Sequence, residues 1–258
     1  MKRLYYALLI VICALLFSSC GDFNEQPKII VGLDDDFPPM GFRDENRELV
    51  GFDVDLAKEV GKRMGVEMVF QPIDWDNKRE EILSGHVDII WNGLDITDER
   101  KDFMIFSKPY MDDRQIILVK SDSVLSVYSE YDLADKIVGT QAGSTSYDYI
   151  RKNFKDVLRE HKTYGKFKDT LAALLNNEID LIVCDELIAR YEMNTYPDKL
   201  KILNVKIGAI TETGVGFRKE DTELRDRVQA AFDEIIKDGT AKEISEKWFG
   251  ADLIKSKR

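Results

Sequence analysis

One short sequence pattern occurs twice in this chain and restricts the possible folds more than any other feature. Leu83-x-x-x-Val-Asp precedes an apolar pair at residues 89–90, and Leu175-x-x-x-Ile-Asp precedes an apolar run at residues 181–183. Short apolar runs of this kind are typical of strands buried in a parallel sheet. An earlier strand-like segment followed by a helical pattern stands before each copy. We therefore predict two similar α/β lobes, each a mostly parallel sheet flanked by helices; the alternative is chance recurrence of common α/β patterns.

The order of the predicted elements also indicates where the chain passes between the lobes. The chain crosses near Asp113 and returns near Gly208, and two adjacent crossovers make a natural hinge. These positions predict a first lobe of residues 28–113 plus 211–254 and a second lobe of residues 114–210. Residues 255–258 are then a short tail.

The N-terminus has the features of an export signal. Lys2 and Arg3 precede an apolar run at residues 4–17, which is shorter than the roughly 20 residues needed to span a bilayer. The sequence Phe-Ser-Ser-Cys at residues 17–20 resembles the bacterial lipobox, in which the cysteine is diacylated. We expect residues 1–19 to be a lipoprotein signal peptide, Cys20 to be the lipidation site, and residues 20–27 to be a polar tether.

Charge and composition exclude several classes of function. Removal of the leader leaves 35 of the 37 basic residues against all 48 acidic ones, a formal net charge of −13 instead of −11. This argues against nucleic acid or an anionic membrane surface as a partner. With two histidines and only Cys184 left after processing and lipidation, neither a zinc site, a histidine-based triad nor an intramolecular disulfide is expected. We predict no metal and no cofactor.

An arginine follows the first copy of the pattern at a position suited to anion binding. Thr97 is a predicted helix N-cap, with Asp98 and Glu99 in the first turn, so Arg100 falls at the third helical position. Free backbone N–H groups and the helix dipole favour a carboxylate there, and arginine binds one through two parallel hydrogen bonds. The alternative is a surface arginine on a solvated capped helix.

Other polar and aromatic residues stand at the predicted carboxyl ends of strands, where open α/β sheets bind ligands. They are Asp34, Phe37, Trp75, residues 92–95, residues 143–145 and residues 184–185. This set suits a zwitterion, with its carboxylate on Arg100 and its ammonium on Asp185.

The sequence resembles the amino-acid-binding lipoproteins of bacterial ABC importers, the solute-binding family 3 type, over about residues 28–254. The motifs that carry the resemblance are GLD and FPP at residues 32–39, GFDVDL at 51–56, ITDER at 96–100, FSKPY at 106–110, QAGST at 141–145, DE at 185–186 and WFG at 248–250. The resemblance implies a two-lobed periplasmic-binding-protein fold of type II.

The resemblance also implies roles for single residues. Arg100 and Thr145 hold the α-carboxylate of the ligand, Asp185 takes the α-ammonium, and the Gly93 backbone lies against the ligand. Phe37 and Trp75 enclose the ligand side chain, and Asp34 contacts its tip. For several of these positions a structural role is the alternative: Asp185 and residues 143–145 as ordinary helix caps, and Phe37 and Trp75 as core packing. Residues 51–56 are interpreted as structural, with Asp53 capping a helix.

Asp95 departs from the family pattern, which has Ser or Thr at this place. An ionised Asp cannot donate a hydrogen bond to the α-carboxylate and repels it. Either Asp95 pairs with Arg100 or a neighbouring donor, or the ligand is not bound as a simple α-amino acid. We hypothesise an acidic pocket in which Asp34, Asp95 and Asp185 favour a cationic or polar amino acid.

These observations predict the extracytoplasmic binding component of an amino-acid ABC transporter. It is expected to be a monomer that captures a free amino acid by lobe closure and delivers it to a membrane permease powered by an ATPase. We expect it to be held at the cell envelope by the lipid on Cys20 and not to be an enzyme. The alternatives are a periplasmic dehydratase-like enzyme, for which Asp95 is the only unusual acid–base candidate, and a sensory binding protein on the same scaffold.

Overall fold

The computed structural model describes residues 26–255, so the predicted signal peptide and Cys20 lie outside the described residues. In this part of the chain no helix is long and apolar enough to cross a bilayer. The strands are β1 Lys28–Leu33, β2 Asp36–Phe37, β3 Gly41–Arg43, β4 Leu49–Val50, β5 Glu67–Pro72, β6 Ile89–Ile90, β7 Met104–Phe106, β8 Met111–Lys120, β9 Ile137–Gln141, β10 Glu160–Tyr164, β11 Leu181–Asp185, β12 Leu200–Thr213 and β13 Gly216–Arg218. The helices are α1 Phe52–Met64, α2 Lys78–Leu83, α3 Asp98–Lys101, α4 Thr145–Asn153, α5 Phe167–Leu175, α6 Glu186–Thr195, α7 Thr222–Lys237 and α8 Thr240–Phe249.

Two five-stranded sheets repeat one topology, as the doubled pattern predicts. The first has the order β5-β1-β6-β13-β7 and the second the order β10-β9-β11-β8-β12. In each, the first three strands are parallel and the fourth is antiparallel to its neighbours on both sides. Strand β13 follows a passage between the lobes, and β8 is part of one. A small third sheet, β2-β3-β4, which the sequence did not predict, lies beside the first.

The aspartate of the doubled pattern has the same structural role in both sheets. Asp88 Oδ2 accepts the backbone N–H of Ile30 at 2.8 Å, and Asp180 Oδ2 accepts that of Ile137 at 2.7 Å. The backbone N–H of each aspartate donates in return to the carbonyl of the same isoleucine. A loop carboxylate therefore fixes β1 to the turn that leads into β6 in the first sheet, and β9 to the turn that leads into β11 in the second.

Helices cover the sheets and form separate apolar cores. Helix α1 buries Leu56, Ala57 and Val60 and ends at Gly65, whose φ of 68° is in the left-handed region that glycine tolerates. Helices α7 and α8 pack on the same core as α1, so the C-terminal segment completes the first lobe. Helices α5 and α6 pack on the core of the second sheet.

The two long strands β8 and β12 connect the lobes and pair with each other. Their antiparallel register joins Thr211 to Asp113 and Thr213 to Met111 at the end near the first lobe, and Leu200 to Lys120 at the far end. Asp95 of the first lobe adds an isolated bridge to Thr213. The division at residues 113/114 and 210/211 falls at this paired segment and stays a prediction.

Candidate functional site

A small enclosed cavity lies between the carboxyl ends of the strands of the two sheets. It has a volume of about 20 Å³ and is lined by Asp34, Phe37, Trp75, Asn92, Gly93, Arg100, Gln141, Ser144, Thr145 and Asp185. Seven of the eight predicted ligand-binding residues are in this lining; Asp95 is the exception. A wider surface depression of about 660 Å³ beside the crossover strands is lined by none of these seven residues.

Arg100 is buried and held by the loop that precedes it. The Thr97 hydroxyl accepts the backbone N–H of Arg100 at 3.2 Å, which confirms the predicted N-cap. The guanidinium Nη1 donates to the carbonyl of Asp95 at 2.9 Å, and Nη2 donates to the carbonyl of Gly143 on the opposite lobe at 3.3 Å. Because the residue is only 4 % exposed, the alternative of a surface arginine is wrong.

Asp95 lies behind this arginine and not in the cavity wall. Its carboxyl Oδ1 accepts the Thr211 hydroxyl at 2.9 Å, and the residue is 2 % exposed. Burial raises the pKa of the Asp95 carboxyl, although the charge of Arg100 and the hydroxyls of Thr145 and Thr211 oppose the rise. The predicted pairing of Asp95 with a neighbouring donor is present in the bond from Thr211, and its contact with the ligand stays a prediction.

Asp185 lines the cavity at the carboxyl end of β11. It occupies the N-cap position of α6, but its side chain makes no capping hydrogen bond. Instead, Oδ1 accepts Gln115 Nε2 at 2.5 Å. Burial raises the pKa of Asp185 to about 7, and the nearby charge of Asp95 adds to the rise. A cationic group placed against this carboxylate would compensate both penalties.

Asp113 joins Asp95 and Asp185 in a buried acidic cluster, in which the nearest carboxyl oxygens lie within 4.8 Å of one another. Burial and the charge of Asp185 raise the pKa of Asp113 well above its ordinary value. Like charges held this close share protons, so the cluster does not carry three full negative charges at neutral pH. Its donors are all carboxylate oxygens, which do not match the nitrogen and sulfur ligands of a structural zinc site.

Two aromatic residues form the apolar part of the wall. Trp75 is 7 % exposed and packs in the core around Ile82 and Val87, so it serves both as core and as lining. Phe37 contacts the apolar cores of both sheets. The alternatives of packing and ligand contact are therefore not exclusive at these positions.

The Gly93 backbone is held by a residue that we expected to cap a helix. The Gly93 N–H donates to Asp53 Oδ2 at 2.6 Å, and Asp53 Oδ1 accepts the Tyr110 hydroxyl at 2.8 Å. Asp53 makes no capping bond to α1, so that interpretation is wrong; it fixes the cavity wall instead. The φ of Gly93 is +56°, and a Cβ added there would lie 3.2 Å from Phe37, so this place favours glycine.

The loop at residues 143–145 supplies both a cap and lining. Ser144 is the N-cap of α4 and accepts the backbone N–H of Tyr147 at 3.1 Å. Thr145 is the first helical residue, and both side chains line the cavity. The free N–H groups at the start of α4 therefore lie beside Arg100, as a carboxylate site requires.

Two lysines that sequence reasoning missed lie at the interface between the lobes. Lys78 Nζ donates to the Trp75 carbonyl at 3.0 Å and to the Gly143 carbonyl of the other lobe at 2.7 Å. Burial and the charge of Arg100 lower the pKa of Lys78 to about 7. Lys166, two residues beyond β10, lies 2.5 Å from Asp34. Of the other lining residues, Asn92 and Ser144 belong to segments that the strand-end rule selected, whereas Gln141, the last residue of β9, was not selected by it.

The chain was then compared with known proteins. The model of bacterial extracellular solute-binding proteins, family 3, matches residues 29–251. This chain belongs to that family. The match spans both lobes, so the doubled topology and the cavity between the lobes are those of a solute-binding protein.

Named relatives of this binding protein bind amino acids. The L-cystine-binding protein TcyJ of Escherichia coli K12 is 33 % identical over 90 % of this chain and 86 % of its own length. The ABC transporter arginine-binding protein 1 of the same organism is 29 % identical over 93 % of this chain and 98 % of its own length.

Solved structures of amino-acid-binding proteins have the same fold as this chain. A substrate-binding protein of an ABC uptake transporter from Streptococcus pneumoniae, with bound histidine, has a TM-score of 0.83 and 35 % identity over 89 % of this chain and 95 % of that one. An ancestral arginine-binding protein bound to glutamine has a TM-score of 0.81 and 37 % identity over 87 % of this chain and 99 % of that one. The predicted family and the predicted two-lobed fold are thereby confirmed.

Proposed function

We propose that this protein is the extracytoplasmic binding component of an amino-acid ABC importer, and that it captures a polar or cationic amino acid by lobe closure. The observation that carries the proposal is the juxtaposition of Arg100 and Asp185 in one enclosed cavity between two lobes. A guanidinium and a carboxylate in one cavity match the two charges that every free amino acid carries. The named relatives and the bound ligands of the solved structures support the same class of ligand.

The proposed binding mode assigns a role to each part of the wall. The α-carboxylate binds Arg100, the Thr145 hydroxyl and the free N–H groups at the start of α4, and the α-ammonium binds Asp185. Phe37 and Trp75 enclose the side chain, and the Gly93 backbone lies against the ligand.

Closure follows from where these groups lie. Arg100, Trp75 and Gly93 belong to the first lobe, whereas Thr145 and Asp185 belong to the second. A ligand that contacts both sets stabilises the closed form over the open form, because only the closed form offers all contacts at once.

A binding role is favoured over catalysis. No histidine or cysteine is among the residues that line the cavity, and the one unusual acid–base candidate, Asp95, is outside the lining. We further propose that the protein is a monomer anchored by a lipid on Cys20 at the cell envelope, and that its closed form docks on a permease.

Substitution of Arg100 tests the site. Micromolar binding corresponds to roughly 8 kcal/mol, so loss of the carboxylate contact in Arg100→Ala is expected to weaken binding more than tenfold. The measurement is calorimetry with the tightest ligand from a thermal-shift screen of the twenty amino acids and cystine. Lys101→Ala, on the same helix and exposed, is the matched control and is expected to bind like the wild type. Unchanged affinity in a folded Arg100→Ala protein would refute the assignment.

A further inference from the structure

Asp34, which resemblance assigned to the tip of the ligand side chain, already has a full set of partners. Lys166 Nζ donates to Oδ1 at 2.5 Å, and Gln141 Nε2 donates to Oδ2 at 2.6 Å. The backbone N–H of Asp36 also donates to Oδ1, at 3.0 Å. Both carboxylate oxygens are therefore satisfied, and two of the three donors come from the opposite lobe.

Lys166 is a permanent cation at this place. Its side chain is 31 % exposed and reaches the Asp34 carboxylate, which is 2 % exposed, and it also lies 3.3 Å from Asp35. Burial alone would lower the pKa of Lys166, but the hydrogen bond and charge of Asp34 and the charge of Asp35 outweigh it and raise the pKa. The ammonium is therefore charged at neutral pH.

Each charged residue that lines the cavity then has a partner of opposite charge. Among the lining residues, Asp34, Arg100 and Asp185 are charged. If the proposed function holds, Arg100 and Asp185 bind the two charges of the amino-acid backbone. Asp34 is neutralised by Lys166, so no uncompensated acid in the lining remains for the ligand side chain.

We propose that Lys166 is a specificity-determining residue, which narrows the polar or cationic class of the proposed function to amino acids with a neutral polar side chain and disfavours arginine and lysine. A cationic side chain at Asp34 has to displace the Lys166 ammonium or lie beside it, and like charges in a partly desolvated site repel. A neutral side chain pays neither cost. In the described part of the chain, Asn92 Nδ2 also has no hydrogen-bond partner, but this atom is buried beside Gly41, so the preference for a neutral side chain rests on the charge of Lys166.

Arginine and citrulline give the sharpest test, because they have nearly the same shape and differ in side-chain charge. Dissociation constants for L-arginine, L-citrulline and L-glutamine are measured by calorimetry on the wild type, Lys166→Met and Lys166→Arg. Lys168→Met is the matched control: Lys168 also pairs with an acid of the other lobe, Asp36 at 3.5 Å, but is 66 % exposed.

In the wild type, the tighter of the two neutral probes is expected to bind at least tenfold more tightly than arginine. Lys166→Met is expected to reduce this ratio at least tenfold by improving arginine binding, whereas Lys166→Arg and Lys168→Met keep it. The proposal would be overturned if the wild type bound arginine more tightly than both neutral probes. It would also be overturned if Lys166→Met left the ratio of arginine to neutral-probe affinity unchanged. If the wild type binds no amino acid, the proposed function and this inference are both refuted. If binding is weakened by Arg100→Ala but the wild type does not prefer the neutral probes to arginine, only the inference is refuted.

Discussion

Ligand binding should weaken as the pH falls through neutrality, because the proposed acceptor of the α-ammonium is a buried acid. Burial and the charge of Asp95 raise the pKa of Asp185 to about 7. An ammonium binds the ionised carboxylate and not the protonated acid, so lower pH means fewer competent molecules. With a pKa near 7, the ionised fraction falls from about nine tenths at pH 8 to about one tenth at pH 6, a roughly tenfold loss of affinity, or about 1.4 kcal/mol.

Proton release provides a second readout of the same event. At pH 6, binding of the ammonium should expel close to one proton, and at pH 8 almost none. Calorimetry at pH 6, 7 and 8, in buffers of different ionisation enthalpy, measures both the affinity and the number of protons. The probe is the tightest amino acid of the thermal-shift screen whose own charge is constant over this range.

Two variants separate Asp185 from its neighbours. Asp185→Asn should bind weakly and with less pH dependence than the wild type, because the carboxyl that faces the ammonium is gone. Lys78, whose pKa is also about 7, titrates in the same range. Lys78→Met should keep the pH dependence, since the Lys78 amine donates to the Gly143 carbonyl and not to the ligand. Wild-type affinity that is constant or rises between pH 8 and pH 6 would contradict the reasoning.

Two further outcomes concern the scaffold and the anchor. Asp88→Ala and Asp180→Ala each leave a part-buried strand N–H without its acceptor. In urea titrations each should lower the free energy of unfolding by about 1–3 kcal/mol, whereas the exposed control Asp98→Ala should change it little. Equal effects of all three substitutions would count against the shared role of Asp88 and Asp180. Cys20→Ser, expressed in a bacterial host, should move the protein from the membrane fraction to the soluble fraction, and continued membrane retention would argue against lipidation at this cysteine.

The doubled pattern predicts two similar lobes because each copy places an aspartate directly before an apolar strand. The partner of each aspartate, Ile30 or Ile137, lies 58 or 43 residues away, so the order of the parallel strands is read from the structure. The fourth strands were harder to place. Residues 115–119 and 214–217 read as ordinary apolar segments, and their antiparallel position depends on the crossover, which no short pattern specifies.

The binding residues also divide into those that the sequence predicts and those that only the structure reveals. Arg100 and Asp185 were predictable, because a helix start or a strand end fixes where such short-range groups lie. Lys166 and Asp95 were not. Lys166 is a long flexible side chain whose partner, Asp34, is 132 residues away in sequence, so only the closed arrangement of the lobes reveals the pair. The sequence marks Asp95 as unusual, but its partner Thr211 is 116 residues away in sequence and is apparent only in the folded chain.

The pairing of β8 with β12 also determines how the lobes can move. A two-stranded ribbon bends readily out of its plane, but its ladder of hydrogen bonds resists sliding of one strand along the other. The pairing that joins Asp113 to Thr211 therefore favours rotation of the lobes about the ribbon over sliding of one lobe along the other. The path of closure is set by the ribbon and its end point by the cavity, so substitutions at the cavity wall can change which ligand is held without changing the trajectory along which the lobes meet.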